Sequence, residues 1–90
     1  MQNSAKLIEK MRRSPHNIRF SDLQNLCRQY FGEPRQTGGS HEVYKMPWSA
    51  MPRINIQNAN GKAKPEQVRY VLKAIDLYIE RYGKRDDDKP

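Results

Sequence analysis

The sequence predicts an α+β domain in which helices cover one face of a three-stranded antiparallel sheet. Three observations lead to this prediction. Apolar residues recur at helical spacing in three segments, polar and apolar residues alternate in the middle of the chain, and turn-forming residues separate these parts. The predicted order is α-α-β-β-β-α, with the helices packed on a single face of the sheet. Ninety residues suffice for one domain, so we expect residues 1–90 to form a single domain.

Two helices are predicted before the strands. The first covers residues 4–13, where Leu7, Ile8 and Met11 share one side. The second begins at Ser21, because Gln24 stands three residues later in the spacing of a capping box. Its apolar stripe then follows at helical spacing: Leu23, Leu26, Cys27 and Tyr30. Gly32 stands where a glycine cap ends a helix, so we expect Cys27 to be a buried apolar residue rather than a nucleophile.

The middle of the chain predicts three strands. Their expected ranges are 33–37, 40–46 and 53–57. Gly38 and Gly39 predict the first tight turn, a proline-bounded loop covers 47–52, and Asn58 to Gly61 predict a further turn. Alternation should bury four side chains against the helices: Tyr44, Met46, Ile54 and Ile56. The opposite face is then expected to meet solvent, as antiparallel sheets allow.

The last predicted helix begins at Pro65, a residue suited to the first helical position, and ends before Gly83. Its apolar stripe is long: Val68, Val71, Leu72, Ile75, Ile79 and Tyr82. Residues 84–90 form a charged tail.

The composition narrows the class of function. The net charge is +7, and residues 74–90 carry −1, so the positive excess lies earlier in the chain. Such a charge suits a polyanionic partner, most simply nucleic acid. The single cysteine excludes an internal disulfide, and with only two histidines we expect no metal site and no cofactor. No run of apolar residues is long enough for a membrane span, so we expect a cytoplasmic protein.

The solvent face of the predicted sheet holds the candidate chemistry. Alternation places His41, Lys45, Arg53 and Asn55 on this face, together with Val43. A neutral imidazole can take the proton of a ribose 2′-hydroxyl, and cations can stabilise the negative charge that develops on the attacked phosphate. Backbone N–H groups of the turn at 38–40 can do the same, and Lys45 or water can protonate the leaving group. The alternative interpretation is an ordinary histidine on a solvated basic face.

Four other residues are weighed between a functional and a structural interpretation. Lys62 and Lys64, next to the start of the last helix, can bind phosphate with the helix N-terminus or serve solubility alone. Trp48 can stack on an unpaired base, cover the edge of the core or meet a protein partner. His16 lies in a loop that contains a proline, and we expect it to be an exposed residue without a catalytic role.

Three segments resemble the HicA family of toxins. Gly39, Ser40 and His41 open a strand, and Tyr44 follows three residues after the histidine, which is similar to the Gly-Ser-His signature of that family. Residues 64–73 resemble its closing helix, and residues 17–23 resemble the start of its first core helix in longer members. The resemblance covers about residues 17 to 75 of the 90.

The resemblance implies a fold like the double-stranded-RNA-binding domain and the activity of a type II toxin–antitoxin system. Members of the family cleave mRNA without a metal ion, and a HicB-type antitoxin covers their active site. It implies that His41 is the catalytic residue and that Gly39 and Ser40 belong to the RNA-binding site. It also implies a core domain over 17–83, to which the helix at 4–13 is an addition. Glu42 replaces a second histidine that often follows the catalytic one, and its effect depends on which way its carboxylate points.

Two further functions fit the same residues. A non-catalytic RNA-binding module would use the basic sheet face, with Lys45 and Arg53 contacting phosphates. A protein-interaction domain would use the charge only to attract an acidic partner. Cleavage and salt dependence of binding distinguish the three.

Overall fold

A computed structural model gives the fold and describes residues 4–38, 41–46 and 52–83. The helices are α1 (Ser4–Arg13), α2 (Phe20–Phe31) and α3 (Pro65–Tyr82), and the strands are β1 (Gln36–Gly38), β2 (His41–Lys45), β3 (Arg53–Ala59) and β4 (Lys62–Ala63). The predicted α+β class, the three-stranded antiparallel sheet and the order of its helices and strands are confirmed. The two-residue strand β4 is an addition to the prediction.

The sheet has the order β1-β2-β3-β4, and all of its strand pairs are antiparallel. β2 lies between β1 and β3, and its register runs from His41 opposite Gln57 to Lys45 opposite Arg53. Directly opposite residues of an antiparallel pair point to the same side, so this register decides which side chains can meet.

The inner face of the sheet carries the apolar residues that alternation predicts. Tyr44, Met46, Ile54 and Ile56 are all buried and belong to a single core cluster. Buried residues of α2 and α3 complete it: Phe20, Leu23, Leu26, Cys27, Tyr30, Val68, Val71, Leu72, Ala74 and Ile75. α1 contributes Leu7, Ile8 and Met11 to the same cluster, so this helix is packed into the core rather than attached to its surface.

The first strand begins later than the sequence predicts. β1 starts at Gln36, whereas the prediction was 33–37. Pro34 has no N–H to donate to a neighbouring strand, and the first backbone bond comes from Arg35, whose N–H donates to the carbonyl of Val43 at 2.7 Å. Gly38 pairs with His41 and is a strand residue, so its assignment to the turn is wrong. Gly39 lies outside the described residues.

The predicted capping box of α2 is wrong. The helix begins at Phe20 with Arg19 as its N-cap residue, and no side chain caps it. Ser21 is therefore inside the first turn, and Gln24 does not reach back to it. Instead, the N–H of Phe20 donates to the carbonyl of Gly61 at 3.0 Å. A turn distant in sequence thus accepts a hydrogen bond from an N–H group at the start of the helix, which has no partner within the helix.

The turn after β3 brings the chain back as β4. Asn60 and Gly61 both have positive φ, 56° and 86°, as tight hairpin turns require. The Asn58 side chain accepts a hydrogen bond from the N–H of Gly61 at 2.6 Å. The predicted turn is confirmed at residues 60–61, whereas Asn58 and Ala59 belong to β3. β3 extends to Ala59, two residues beyond the prediction.

α3 begins at Pro65 and ends before Gly83, as predicted. Gly83 has a positive φ of 81°, and its N–H donates to the carbonyl of Ile79 at 2.8 Å. At 18 residues α3 is the longest of the described helices, and none of them is long and apolar enough to cross a bilayer.

Candidate functional site

The outer face of β2 and β3 carries the residues that the sequence places there. His41, Lys45, Arg53 and Asn55 are exposed, and Val43 is half-buried between them. The register pairs these side chains across the two strands, which confirms that they share one face. We call this surface, made of residues 41, 43, 45, 53, 55 and 57, the outer face.

His41 lies at one end of the outer face, directly opposite Gln57. The Gln57 Nε2 atom is 2.9 Å from the His41 Nε2 atom. Gln57 is in turn bonded twice to Gln67 of α3: the Gln57 backbone N–H donates to Gln67 Oε1 at 2.8 Å, and Gln67 Nε2 donates to Gln57 Oε1 at 3.3 Å. The candidate base is therefore connected to the start of α3 through two glutamines, neither of which the sequence analysis identified.

A basic pocket occupies the other end of the outer face. It has a volume of about 470 Å³ and is lined by Arg35, Val43, Lys45, Met46, Pro52 and Arg53. Within the described residues, none of its three cations has a carboxylate within ion-pair distance. Three unpaired cations around one pocket favour an anionic ligand such as a phosphate group. Arg35 was missed by the sequence analysis because it precedes β1, and only the pairing of β1 with β2 brings it here.

The two ends of the outer face are separated along β2. His41 and Lys45 are four residues apart on an extended strand, which at about 3.3 Å per residue separates their backbones by roughly 13 Å. Protonation of the leaving group by Lys45 would require its side chain to extend along the strand towards His41, since direct proton transfer needs hydrogen-bond distance. The basic pocket is therefore a candidate anion-binding site at the end of the outer face opposite His41.

Lys62 and Lys64 lie at the His41 end of the sheet. Lys62 is exposed in β4, which pairs with the last residues of β3, just beyond Gln57. Lys64 is the N-cap residue of α3, and its carbonyl accepts the N–H groups of Gln67 and Val68 at 3.0 Å. Gln67, three residues beyond Lys64, thus links the start of α3 to the outer face.

Glu42 points away from His41, into the opposite side of the sheet. It is 7% exposed and accepts hydrogen bonds from Gln24 at 2.5 Å, Tyr44 at 2.6 Å and Arg28 at 3.2 Å. Burial alone would raise the pKa of this carboxyl, but the three hydrogen bonds and the charge of Arg28 outweigh it and hold the pKa below its ordinary value. Glu42 therefore has a structural role, and its bond from Gln24 explains why that glutamine does not cap α2.

Two buried groups next to Glu42 are held in their neutral forms. Burial raises the pKa of the Cys27 thiol, and the nearby Glu42 charge raises it further. Burial, followed by its hydrogen bond to Glu42, likewise raises the pKa of the Tyr44 hydroxyl. Cys27 is fully buried, which confirms the prediction that it is a core residue, and a neutral thiol is a poor nucleophile.

His16 is exposed, as expected, and stands apart from the outer face. Its Nε2 atom lies 3.4 Å from Arg69 Nη2 of α3. Among residues 4–38, 41–46 and 52–83, no three His, Cys, Asp or Glu side chains are grouped as a metal ion would require. Gly39, Ser40 and Trp48, which the sequence analysis assigned to RNA binding or left open, lie outside the described residues.

Comparison with known proteins identifies no relative. The chain matches no family model, no curated protein and no solved structure. The HicA resemblance therefore remains a hypothesis based on residues 17 to 75. The case for a function depends on the outer face and on the basic charge.

Proposed function

We propose that this protein is a HicA-type toxin that cleaves mRNA in the cytoplasm without a metal ion, with His41 as the general base. The observation that carries the proposal is the position of His41: exposed, hydrogen-bonded at one nitrogen, and on the same face as a basic pocket. The Gly-Ser-His context of the sequence supports the same assignment. The resemblance further implies a HicB-type antitoxin that covers this face, and a fold of the double-stranded-RNA-binding class.

The chemistry follows from an imidazole beside a ribose. His41 takes the proton of a 2′-hydroxyl, and the oxygen attacks the adjacent phosphorus. The bond to the 5′ oxygen breaks, and that oxygen takes a proton from water. The products are a 2′,3′-cyclic phosphate and a 5′-hydroxyl end, and no bound metal or cofactor takes part.

The basic pocket supports an extended substrate. The backbone of Lys45, one of its cationic residues, lies roughly 13 Å from that of His41 along β2. A single strand lying along β2 can present the phosphate to be cleaved at His41 and a neighbouring phosphate to Arg35, Lys45 and Arg53. In this arrangement the cations of the pocket determine affinity, whereas His41 determines the rate.

The test compares the wild-type protein with His41→Ala in the cleavage of a transcript in EDTA. We expect cleavage by the wild type and a loss of at least about 100-fold in the variant, since general base catalysis contributes about that much or more. His16→Ala is the matched control, because it removes the other exposed histidine and should leave cleavage unchanged. Intact RNA with antitoxin-free wild type would contradict the proposal, and binding retained by His41→Ala would support it.

The second candidate function is a non-catalytic RNA-binding module. The separation between His41 and the pocket favours it, since the three cations can bind phosphates without any chemistry at His41. RNA binding by wild type without cleavage would support this alternative. A binding constant that barely changes with salt concentration would instead favour a protein partner, since RNA affinity falls steeply with ionic strength when several phosphates are contacted.

A further inference from the structure

A relay of hydrogen bonds leads from the backbone of β3 through two glutamines to His41. Gln67 is bonded to Gln57 at two points, and Gln57 is bonded to His41 at one. Glutamine amides and neutral histidines can each be oriented in two ways, with donor and acceptor exchanged. One donor in this relay cannot exchange roles with an acceptor, and it therefore fixes the orientation of the other groups.

The fixed donor is the backbone N–H of Gln57. A backbone N–H can only donate, so the Gln67 atom 2.8 Å from it must be the amide oxygen. The NH₂ group of Gln67 then faces the side chain of Gln57 and donates to its Oε1 atom at 3.3 Å. With its oxygen engaged by Gln67, Gln57 presents its NH₂ group to His41.

The orientation of Gln57 determines which nitrogen of His41 is protonated. The NH₂ group of Gln57 is a donor, so the His41 Nε2 atom at 2.9 Å must accept. A neutral imidazole that accepts at Nε2 carries its proton at Nδ1. The relay therefore selects one of the two neutral forms of the ring without touching Nδ1.

We propose that Gln57 and Gln67 are positioning residues that select the Nδ1–H form of His41, which makes Nε2 the atom that receives the substrate proton. The catalytic part of this inference rests on the proposed function, whereas the selected ring form rests on the geometry alone. A 2′-hydroxyl that replaces the Gln57 N–H meets an unprotonated Nε2. Its proton moves to that nitrogen while the oxygen bonds to phosphorus.

The relay is held by regular secondary structure. Gln57 lies in β3 and pairs with His41 across the sheet, and Gln67 lies in the first turn of α3 behind Pro65. Gln57 and Gln67 are both half-buried, which restricts their rotamers. Groups held by strands and helices keep their geometry better than groups on loops.

Gln67→Glu tests the relay without altering His41 or Gln57. A carboxylate at 67 can still accept the Gln57 backbone N–H, but it cannot donate to Gln57 Oε1. The Gln57 amide must then turn its NH₂ group towards residue 67 and its oxygen towards His41, which now has to donate from Nε2. The substitution keeps the side-chain shape, and a carboxylate in the first turn of a helix is favourable, so the variant should fold.

The direct measurement is nitrogen-15 NMR of the histidine rings in the intact chain, free of RNA, at about pH 8.5, where an ordinary histidine is neutral. We expect His41 to be protonated at Nδ1 in the wild type and at Nε2 in Gln67→Glu. His16 serves as an internal control whose spectrum should not change. A wild-type His41 protonated at Nε2, or a variant with the wild-type form, would overturn the selection of the ring form.

The kinetic measurement compares RNA cleavage by the same proteins. We expect kcat to fall by at least about tenfold in Gln67→Glu with KM little changed, because the base is then protonated at the reacting nitrogen. Gln29→Glu adds the same charge on α2 and should leave kcat unchanged. A switched ring form with unchanged kcat would overturn the positioning role. Wild type that has the Nδ1–H form but does not cleave RNA would contradict the proposed function and support the selection of the ring form.

Discussion

The two faces of β2 differ most sharply at two neighbouring residues. Glu42 points inward, is 7% exposed and accepts hydrogen bonds from three side chains. His41 points outward and is exposed, and its side-chain partner among the described residues is Gln57. A buried carboxylate surrounded by donors stabilises the fold, whereas an exposed imidazole can be reached by a ligand from solvent. Alternation along a single strand thus separates a buried titratable group from an exposed one.

The largest expected difference between the faces is in packing. Ile54→Ala should lower the free energy of unfolding by about 2–5 kcal/mol, because it opens a cavity in a fully buried site. Its neighbour Asn55 is exposed on the outer face, and Asn55→Ala should change stability by less than about 0.5 kcal/mol. Chemical denaturation of both variants measures this. Equal losses would mean that the faces are not separated as described.

The next effect concerns the carboxylate on the inner face. Glu42→Ala should lower the free energy of unfolding by about 1–3 kcal/mol, since it leaves the buried Tyr44 hydroxyl and the half-buried Gln24 amide without their acceptor. Glu42→Gln should cost less, because its amide oxygen still accepts. A Glu42→Ala variant as stable as wild type would show that these bonds contribute little.

The same carboxylate makes stability depend on pH in a predictable direction. The pKa of Glu42 is lower in the folded chain than its ordinary value of 4.5, so its contribution is complete above pH 4.5. That contribution is lost as the pH falls through the lower, folded value. The stability advantage of wild type over Glu42→Gln should therefore shrink below pH 4.5, and denaturation curves across that range test the sign.

The smallest expected effect concerns the outer face. Arg53→Ala should weaken RNA binding by less than about tenfold and reduce the salt dependence of log K by about one unit of slope, since one phosphate contact is removed. Stability should not change. Lys10→Ala, an exposed cation on α1, is the matched control, and an equal loss of affinity there would argue against a localised RNA site on the outer face.

The sequence predicted what local patterns control. Alternation in residues 53–57 identified both faces of β3 correctly, because a half-buried strand needs that period. The start of α2 was predicted wrongly, because the Ser21–Gln24 spacing fits a capping box while Gln24 instead donates to Glu42 on the inner face of the sheet. Tertiary contacts override a local motif of this kind.

The parts of the site that were missed depend on long-range pairing. Arg35 joins the pocket through the register of β1, and Gln67 reaches Gln57 only because α3 begins beside β3. No local pattern marks a glutamine in a helix as a partner of a strand residue ten positions earlier. The sequence could identify His41 as a candidate but not the groups that orient it.

The burial of Cys27 has a practical consequence. It is the one cysteine of the chain, it is fully buried, and its raised pKa keeps the thiol protonated. A thiol reagent can reach it only when the core opens, so the labelling rate reports the frequency of that opening from a single position. Cys27 can therefore serve as a natural probe of core opening, without an engineered cysteine.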